Sequence, residues 1–222
     1  MGRLGAMMSE PEDGRKEMRM QQAAPASTLG NSSTRGDDQC GHDQRGDGAR
    51  DSSVFAATEV PAADFVAAMR ANVTPVNLVT TDGVAGRFGL TVSAVSSVSA
   101  EPPLILACLN RRSPAVEAIS RNGVFCVNAL NADQAHIADC FAGRPRDDAQ
   151  PFDFSCGSWL PGRSGAPELA GAVASLDCTV FARHSAGSHE IFIGRVLSVI
   201  SRALPPLLYW DRQYGKPHPL IQ

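Results

Sequence analysis

The stretch Gly89–Asn110, GLTVSAVSSVSAEPPLILACLN, restricts the fold more than any other part of the chain. Its first half alternates with the period of an extended strand. Leu90, Val92, Ala94 and Val98 share one face, and Thr91, Ser93, Ser97 and Ser99 share the other. Val95 and Ser96 fall out of phase. Glu101-Pro102-Pro103 then stops the pairing, because proline has no N–H to give to a ladder. Leu104–Leu109 is a continuous apolar run, the pattern of a strand buried on both sides. The row of hydroxyls offers many small donors and acceptors and no charge. That suits a flat, polar, neutral ligand, and equally a strand that faces solvent.

The chain before this stretch divides in two. Residues 1–53 are rich in Gly, Ser, Asp, Gln and Arg and poor in branched apolar side chains, so a disordered tail is expected. Its seven basic and nine acidic side chains are intermixed, which gives no charged binding tail. An ordered domain is expected over 54–222. Pro61 and the spacing of Phe65, Val66 and Met69 predict a helix over 62–71. Val76–Thr81 reads as a strand, and Asp82-Gly83 as the turn signal that returns it toward Gly89.

Beyond Asn110, Ser113 is a good N-cap and Pro114 a good first helical residue, predicting a helix over 114–120 closed by Asn122-Gly123. Such a start offers backbone N–H groups beside Arg111 and Arg112, which is a site for a phosphate or merely a solvated helix cap. Val124–Leu130 reads as a strand carrying Asn128. A helix is expected over 133–141 with Gly143 as its stop, then a long loop over 144–166. Residues 172–183 and 190–200 read as a long hairpin. This strand-rich body with short peripheral helices predicts a mainly β, antiparallel, Greek-key-like barrel.

Several chemistries have no support in the sequence. The six cysteines show no C-x-x-C spacing, and no cluster of ligands points to a metal. There is no Gly-x-Gly-x-x-Gly, P-loop or Gly-x-Ser-x-Gly motif. A net charge of −3 provides no general attraction to nucleic acid, and no apolar run reaches membrane-spanning length. With three of the cysteines inside apolar strands, a reducing cytoplasm is the expected location.

Taken together, Gly89, Thr91, Ser93-Ala94, Ser97-Val98-Ser99 and Glu101-Pro102-Pro103 resemble the signature of the flavin reductase family. These are the small reductase components of two-component flavin monooxygenases. Ala94 stands where the family has a second serine, and Glu101 where it has an aspartate. Gly187-Ser188-His189 and the apolar run after it resemble the family's Gly-Asp-His segment, with Ser188 in place of the aspartate. Pro206–Gly215 resembles the family's closing strand and turn, and Phe152-Asp153-Phe154 its loop over the flavin edge.

The resemblance implies an antiparallel split barrel, a homodimer, and NAD(P)H-dependent reduction of FMN or FAD for a separate monooxygenase. It implies that Thr91, Val92, Ser93, Ala94, Ser97 and Val98 hold the flavin ring and ribityl chain. Cys108, Leu109, Asn110 and Asn128 are expected beside them. Arg112, Ser113 and Pro114 are expected near the phosphate, and His189 at the flavin–nicotinamide contact as the catalytic residue. A flavin-binding protein that stores or senses flavin without turnover is the alternative. A pyridoxamine-phosphate-oxidase-like barrel fits the motifs less well.

Overall fold

The computed structural model describes residues 60–146 and 150–220. The expected tail, 1–53, and the domain start at 54 lie outside the described residues. In chain order the first elements are α1 (Ala62–Arg70), β1 (Thr74–Pro75), β2 (Asn77–Thr81), β3 (Phe88–Val92), β4 (Val95–Ala100) and β5 (Pro103–Asn110). Then come α2 (Pro114–Asn122), β6 (Val124–Ala129), a 3-10 turn (Ala132–Gln134) and α3 (Ala135–Phe141). A short hairpin of β7 (Trp159–Pro161) and β8 (Pro167–Leu169) precedes the long strands β9 (Ala174–Ala186) and β10 (His189–Ser201). The chain closes with β11 (Leu208–Trp210) and β12 (Gln213–Gly215).

Seven strands form one antiparallel sheet in the order β3-β2-β6-β9-β10-β5-β4. Its two edge strands, β3 and β4, are consecutive in the chain and joined only by Ser93-Ala94. The Ala94 carbonyl accepts from the Cys108 N–H of β5 at 2.9 Å. The sheet therefore curls until its edges meet at this bend, which makes it a mainly β split barrel.

The single strand expected over 89–99 is thus two strands. β3 pairs with β2 and β4 pairs with β5 on the opposite edge, so the chain must kink to serve both. The out-of-phase Val95 was the trace of that kink: beyond the bend it turns inward and packs on the core. The Leu104–Leu109 run is not buried on both sides either. Ile105, Ala107 and Leu109 are buried, while Leu104, Leu106 and Cys108 on the outer face are half-buried.

Two cores share strand β2. The barrel interior is built on Val79, Val92, Leu109, Phe125, Val127 and Phe192, with Ala115 and Ile119 of α2 packed against it. The second core places Val76, Leu78, Leu130, Ile137 and Phe141 under α3 and the β8 hairpin. Each fully buried side chain of this size contributes about 1.5–3 kcal/mol. Gly194 lets the two long strands cross Phe125 closely, since a Cβ there would run into that ring.

α2 runs two residues past its expected end and stops at Gly123 in a left-handed conformation (φ 71°). The helix expected over 133–141 starts as the 3-10 turn and becomes α3. The loop expected over 144–166 contains a 3-10 turn (Phe154–Cys156) and β7, because Trp159 and Phe154 dock on Phe141. α1 forms as expected, but Phe65 is 61 % exposed and the helix buries no residue.

Candidate active site

The turn from β5 into α2 is stiff because it consumes its own backbone donors. The Asn110 side-chain oxygen accepts from the Arg112 N–H at 2.9 Å, and the Asn110 carbonyl from the Ser113 N–H at 2.9 Å. The Ser113 hydroxyl oxygen accepts from Ala115 N–H at 3.3 Å, and its carbonyl from Val116 N–H at 3.1 Å. The free N–H groups expected at this helix start are therefore already engaged. What remains for an anion is the helix dipole, the Ser113 O–H and Arg112. The Arg112 side chain is exposed and has no partner among the described residues. Arg111, next to it, is tied instead to the β9–β10 turn. Its N–H donates to the Ser188 carbonyl at 3.0 Å and its guanidinium to the Gly187 carbonyl at 3.5 Å.

That turn carries His189, which lies directly opposite Asn110 in the β10–β5 register. His189 Nδ1 is 2.9 Å from the Ser188 hydroxyl oxygen. The serine thus supplies the contact to the imidazole that the missing aspartate left open. Two residues along β5, Cys108 bonds to the Ala94 bend, so Ser93, Ala94, Cys108, Asn110, Arg112 and His189 share one end of the barrel. Burial pushes the Cys108 thiol above its ordinary range, which keeps it protonated and apolar at neutral pH.

Clefts flank β3 on two sides. One, of about 270 Å³, lies between Phe88-Gly89 and Ser113-Pro114, with Arg87 and Phe152 at its rim. Arg87 is held there by Asp82 at 2.7 Å and lies over the Phe154 ring. The other, of about 150 Å³, is bordered by Thr91, Ser93, Arg144, Tyr209 and Tyr214. Tyr214 donates to Asp139 at 2.8 Å; burial and that carboxylate push its pKa upward, so it stays a neutral phenol.

These surroundings fit a flavin. The exposed Ser93 hydroxyl has no partner among the described residues, Arg87 and Arg144 border the clefts, and the Arg112 guanidinium stands at a helix start. Among the described residues no group of three or more His, Cys, Asp or Glu could hold a metal ion.

Other expected contacts are not brought to this end. Asn128 is 0 % exposed and its amide is spent in the core. It donates to Thr80, Leu78 and Pro167 oxygens and accepts from Leu169 N–H and the Ser175 hydroxyl. Leu109 and Val92 turn their side chains into the barrel core. Thr91 gives its hydroxyl proton to the Ala138 carbonyl at 2.8 Å, tying β3 to α3, and keeps only acceptor capacity. Ser97 lies opposite Ile105, three strand residues or about 10 Å beyond the bend, and the exposed Val98 sits at the bulge that follows. Arg87, Arg144, Tyr209 and Tyr214 were not among the expected residues. Tyr209 and Tyr214 belong to the Pro206–Gly215 segment that resembles the family's closing strand and turn, Arg87 directly precedes β3, and Arg144 is brought from beyond α3 with no local pattern to mark it.

The flavin reductase like domain model matches residues 69–218, the described body almost from end to end. The chain belongs to the flavin reductase family. Within it, "FMN reductase (NADH) RutF 1" of Methylorubrum extorquens is 44 % identical over 165 residues, 74 % of this chain and 80 % of the relative. "FMN reductase (NADH) RutF" of Variovorax paradoxus is 42 % identical over 156 residues, 70 % of this chain and 85 % of its own. Among solved members, a putative flavin reductase from Haemophilus somnus superposes with a TM-score of 0.66 at 33 % identity, over 71 % of this chain and 100 % of that one. A Streptomyces globisporus NADH:FAD oxidoreductase, solved with NAD and FAD fragments, gives 0.65 at 30 % identity, over 75 % and 100 %.

Proposed function

We propose that the chain is an NADH-dependent flavin reductase that reduces FMN, accepts FAD, and passes the reduced flavin to a separate monooxygenase. The carrying observation is the convergence of Ser93-Ala94, Cys108–Asn110, Arg112–Pro114 and His189 at one end of a barrel of this family. Donor and flavin specificity follow the names of the curated relatives. When bound, nicotinamide and flavin supply the hydride donor and acceptor themselves. The chain's task is then to hold two rings in contact with fixed faces, and such positioning is worth up to about 7–11 kcal/mol.

Arg112 and Ser113 hold the phosphate. The Ser93-Ala94 bend hydrogen-bonds the ring and ribityl chain, with the Thr91 hydroxyl oxygen as a further acceptor. Cys108 and Asn110 form the floor, and Phe152 shields the cleft from water. His189, oriented by Ser188, meets the nicotinamide and shapes its stacking place rather than giving a proton. Neutral hydrogen bonds and one charged contact hold the ligand loosely enough for release.

A homodimer is supported by the half-buried outer row Leu104, Leu106, Ile191 and Ile193 and by the exposed apolar face of α1. The five described cysteines are free thiols, which supports a reducing cytoplasm.

The test is anaerobic mixing of the purified protein with NADH and either flavin, followed by loss of oxidised-flavin absorbance. Rapid bleaching with FMN is expected. Tight flavin binding without any NADH oxidation would replace the reductase by the storage or sensor protein.

A further inference from the structure

β10 opens with two polar side chains on opposite faces. His189 stands outward beside Asn110, and Glu190 turns inward and is only 3 % exposed. The Glu190 carboxylate is the hub of a small cluster. Arg183 reaches one oxygen at 2.9 Å, the Ser185 hydroxyl donates to the other at 2.9 Å, and Arg111 stands 4.0 Å from that second oxygen. Arg183 continues to α2 by donating to the Ser120 hydroxyl at 2.6 Å. Arg111 continues to the histidine, since its N–H holds the Ser188 carbonyl and the Ser188 hydroxyl lies against the imidazole.

A carboxylate taken out of water costs the fold unless its partners repay it, and a well-packed apolar side chain often does as well. Its presence here is therefore explained better by what it holds in place than by stability. We propose that Glu190 is a positioning residue for His189. Through Arg111 it clamps the hairpin end to the β5–α2 turn, and through Arg183 it clamps the same end to α2. The imidazole is thereby fixed against the segment that carries Arg112 and Ser113, so the nicotinamide side and the phosphate side of the site move as one piece. This rests on the reading that His189 meets the nicotinamide.

The test is a double-mutant cycle in the full chain, with single-turnover reduction of FMN by NADH as the readout. Glu190→Gln keeps the shape and removes the charge. In the parent it should slow flavin reduction about tenfold, within the coupling seen between contacting residues, and leave the FMN dissociation constant within about twofold. In a His189→Ala background the same substitution should change the rate less than about twofold. Equal slowing in both backgrounds overturns the proposal, because Glu190 then acts on the barrel at large while the histidine's place stands. A parent-like rate in His189→Ala alone overturns the histidine's place and the proposal with it. Should Glu190→Gln not fold, Arg111→Met enters the cycle instead. Its side chain is 55 % exposed, so its removal leaves the core intact, and the same two outcomes decide.

Discussion

Two adjacent arginines that look alike in the sequence do different work. Arg111 is spent on the β9–β10 turn, whereas the exposed Arg112 side chain has no partner among the described residues. A charge-assisted phosphate contact is worth about 1.5–3 kcal/mol. Arg112→Ala should therefore weaken flavin binding roughly ten- to a hundredfold in a titration followed by fluorescence. Arg111→Ala should leave that constant nearly unchanged, and equal losses from both would remove the distinction. Asn128 belongs to neither group. Asn128→Ala strands the Ser175 hydroxyl and the Leu169 N–H in the core and should cost about 2–4 kcal/mol in urea unfolding. The folded fraction should bind flavin normally; a selective loss of affinity would return Asn128 to the site.

Among the elements, the β3–β4 bend and the β7–β8 hairpin contribute most beyond regular pairing. The bend closes the barrel and exposes Ser93-Ala94 in the same two residues. The hairpin seals the second core with Leu169 and Trp159 and sets Glu168 near Asp177. Asp177 is fully buried and accepts from the Ser164 N–H at 2.6 Å. Burial, and then the Asp177 charge, hold the Glu168 carboxyl above its ordinary range, with Arg202 opposing. A raised carboxyl favours the protonated form in the fold. Its stabilising contribution is full below the unfolded pKa and is lost as pH rises through the folded one. Glu168→Gln should thus raise the melting temperature near neutral pH by a few degrees, at about 2–4 °C per kcal/mol, and lose this advantage toward pH 4. Thermal melts across that range decide it; a pH-independent shift would mean that the carboxyl does not titrate with folding. Gly194→Ala, by contrast, should destabilise at every pH by about 1–3 kcal/mol, because the new methyl meets the Phe125 ring.

At the scale of the whole molecule, the family match and the described body cover nearly the same residues. Residues 1–53 lack the apolar content to build a core, and we propose that flavin binding and turnover do not need them. Deleting them should leave FMN binding and NADH turnover within about twofold, since no site residue lies in a segment of that composition. A large loss of activity in the shortened protein would make the tail part of the enzyme. Light scattering of the same preparation should return twice the chain mass. A monomer would leave the outer face of β5 and β10 and the stripe on α1 without a partner.

By itself the sequence determined what depends on near neighbours. Ser113-Pro114 started α2 and Gly123 ended it, because capping chemistry acts within one turn. The β9–β10 hairpin was legible as two long strand-like runs, although its strands extend to Ala186 and start at His189, and the family from the motifs around Thr91, Pro102-Pro103 and His189. Alternation also foretold a hydroxyl row, but not where it would kink. Only pairing of β3 at one sheet edge and β4 at the other puts a bend at Ser93-Ala94, and that condition involves strands far apart in the chain. The fate of each polar group was likewise decided in three dimensions. Asn128 was drawn into the core beside the Pro167 carbonyl and Thr91 was tied at the cleft edge to the Ala138 carbonyl, while Arg144 and Tyr214 were carried to the cleft beside Ser93. Local residue types state what a side chain can bond; the fold decides which partners lie within reach, because a buried polar group must be satisfied by whatever the tertiary packing sets beside it.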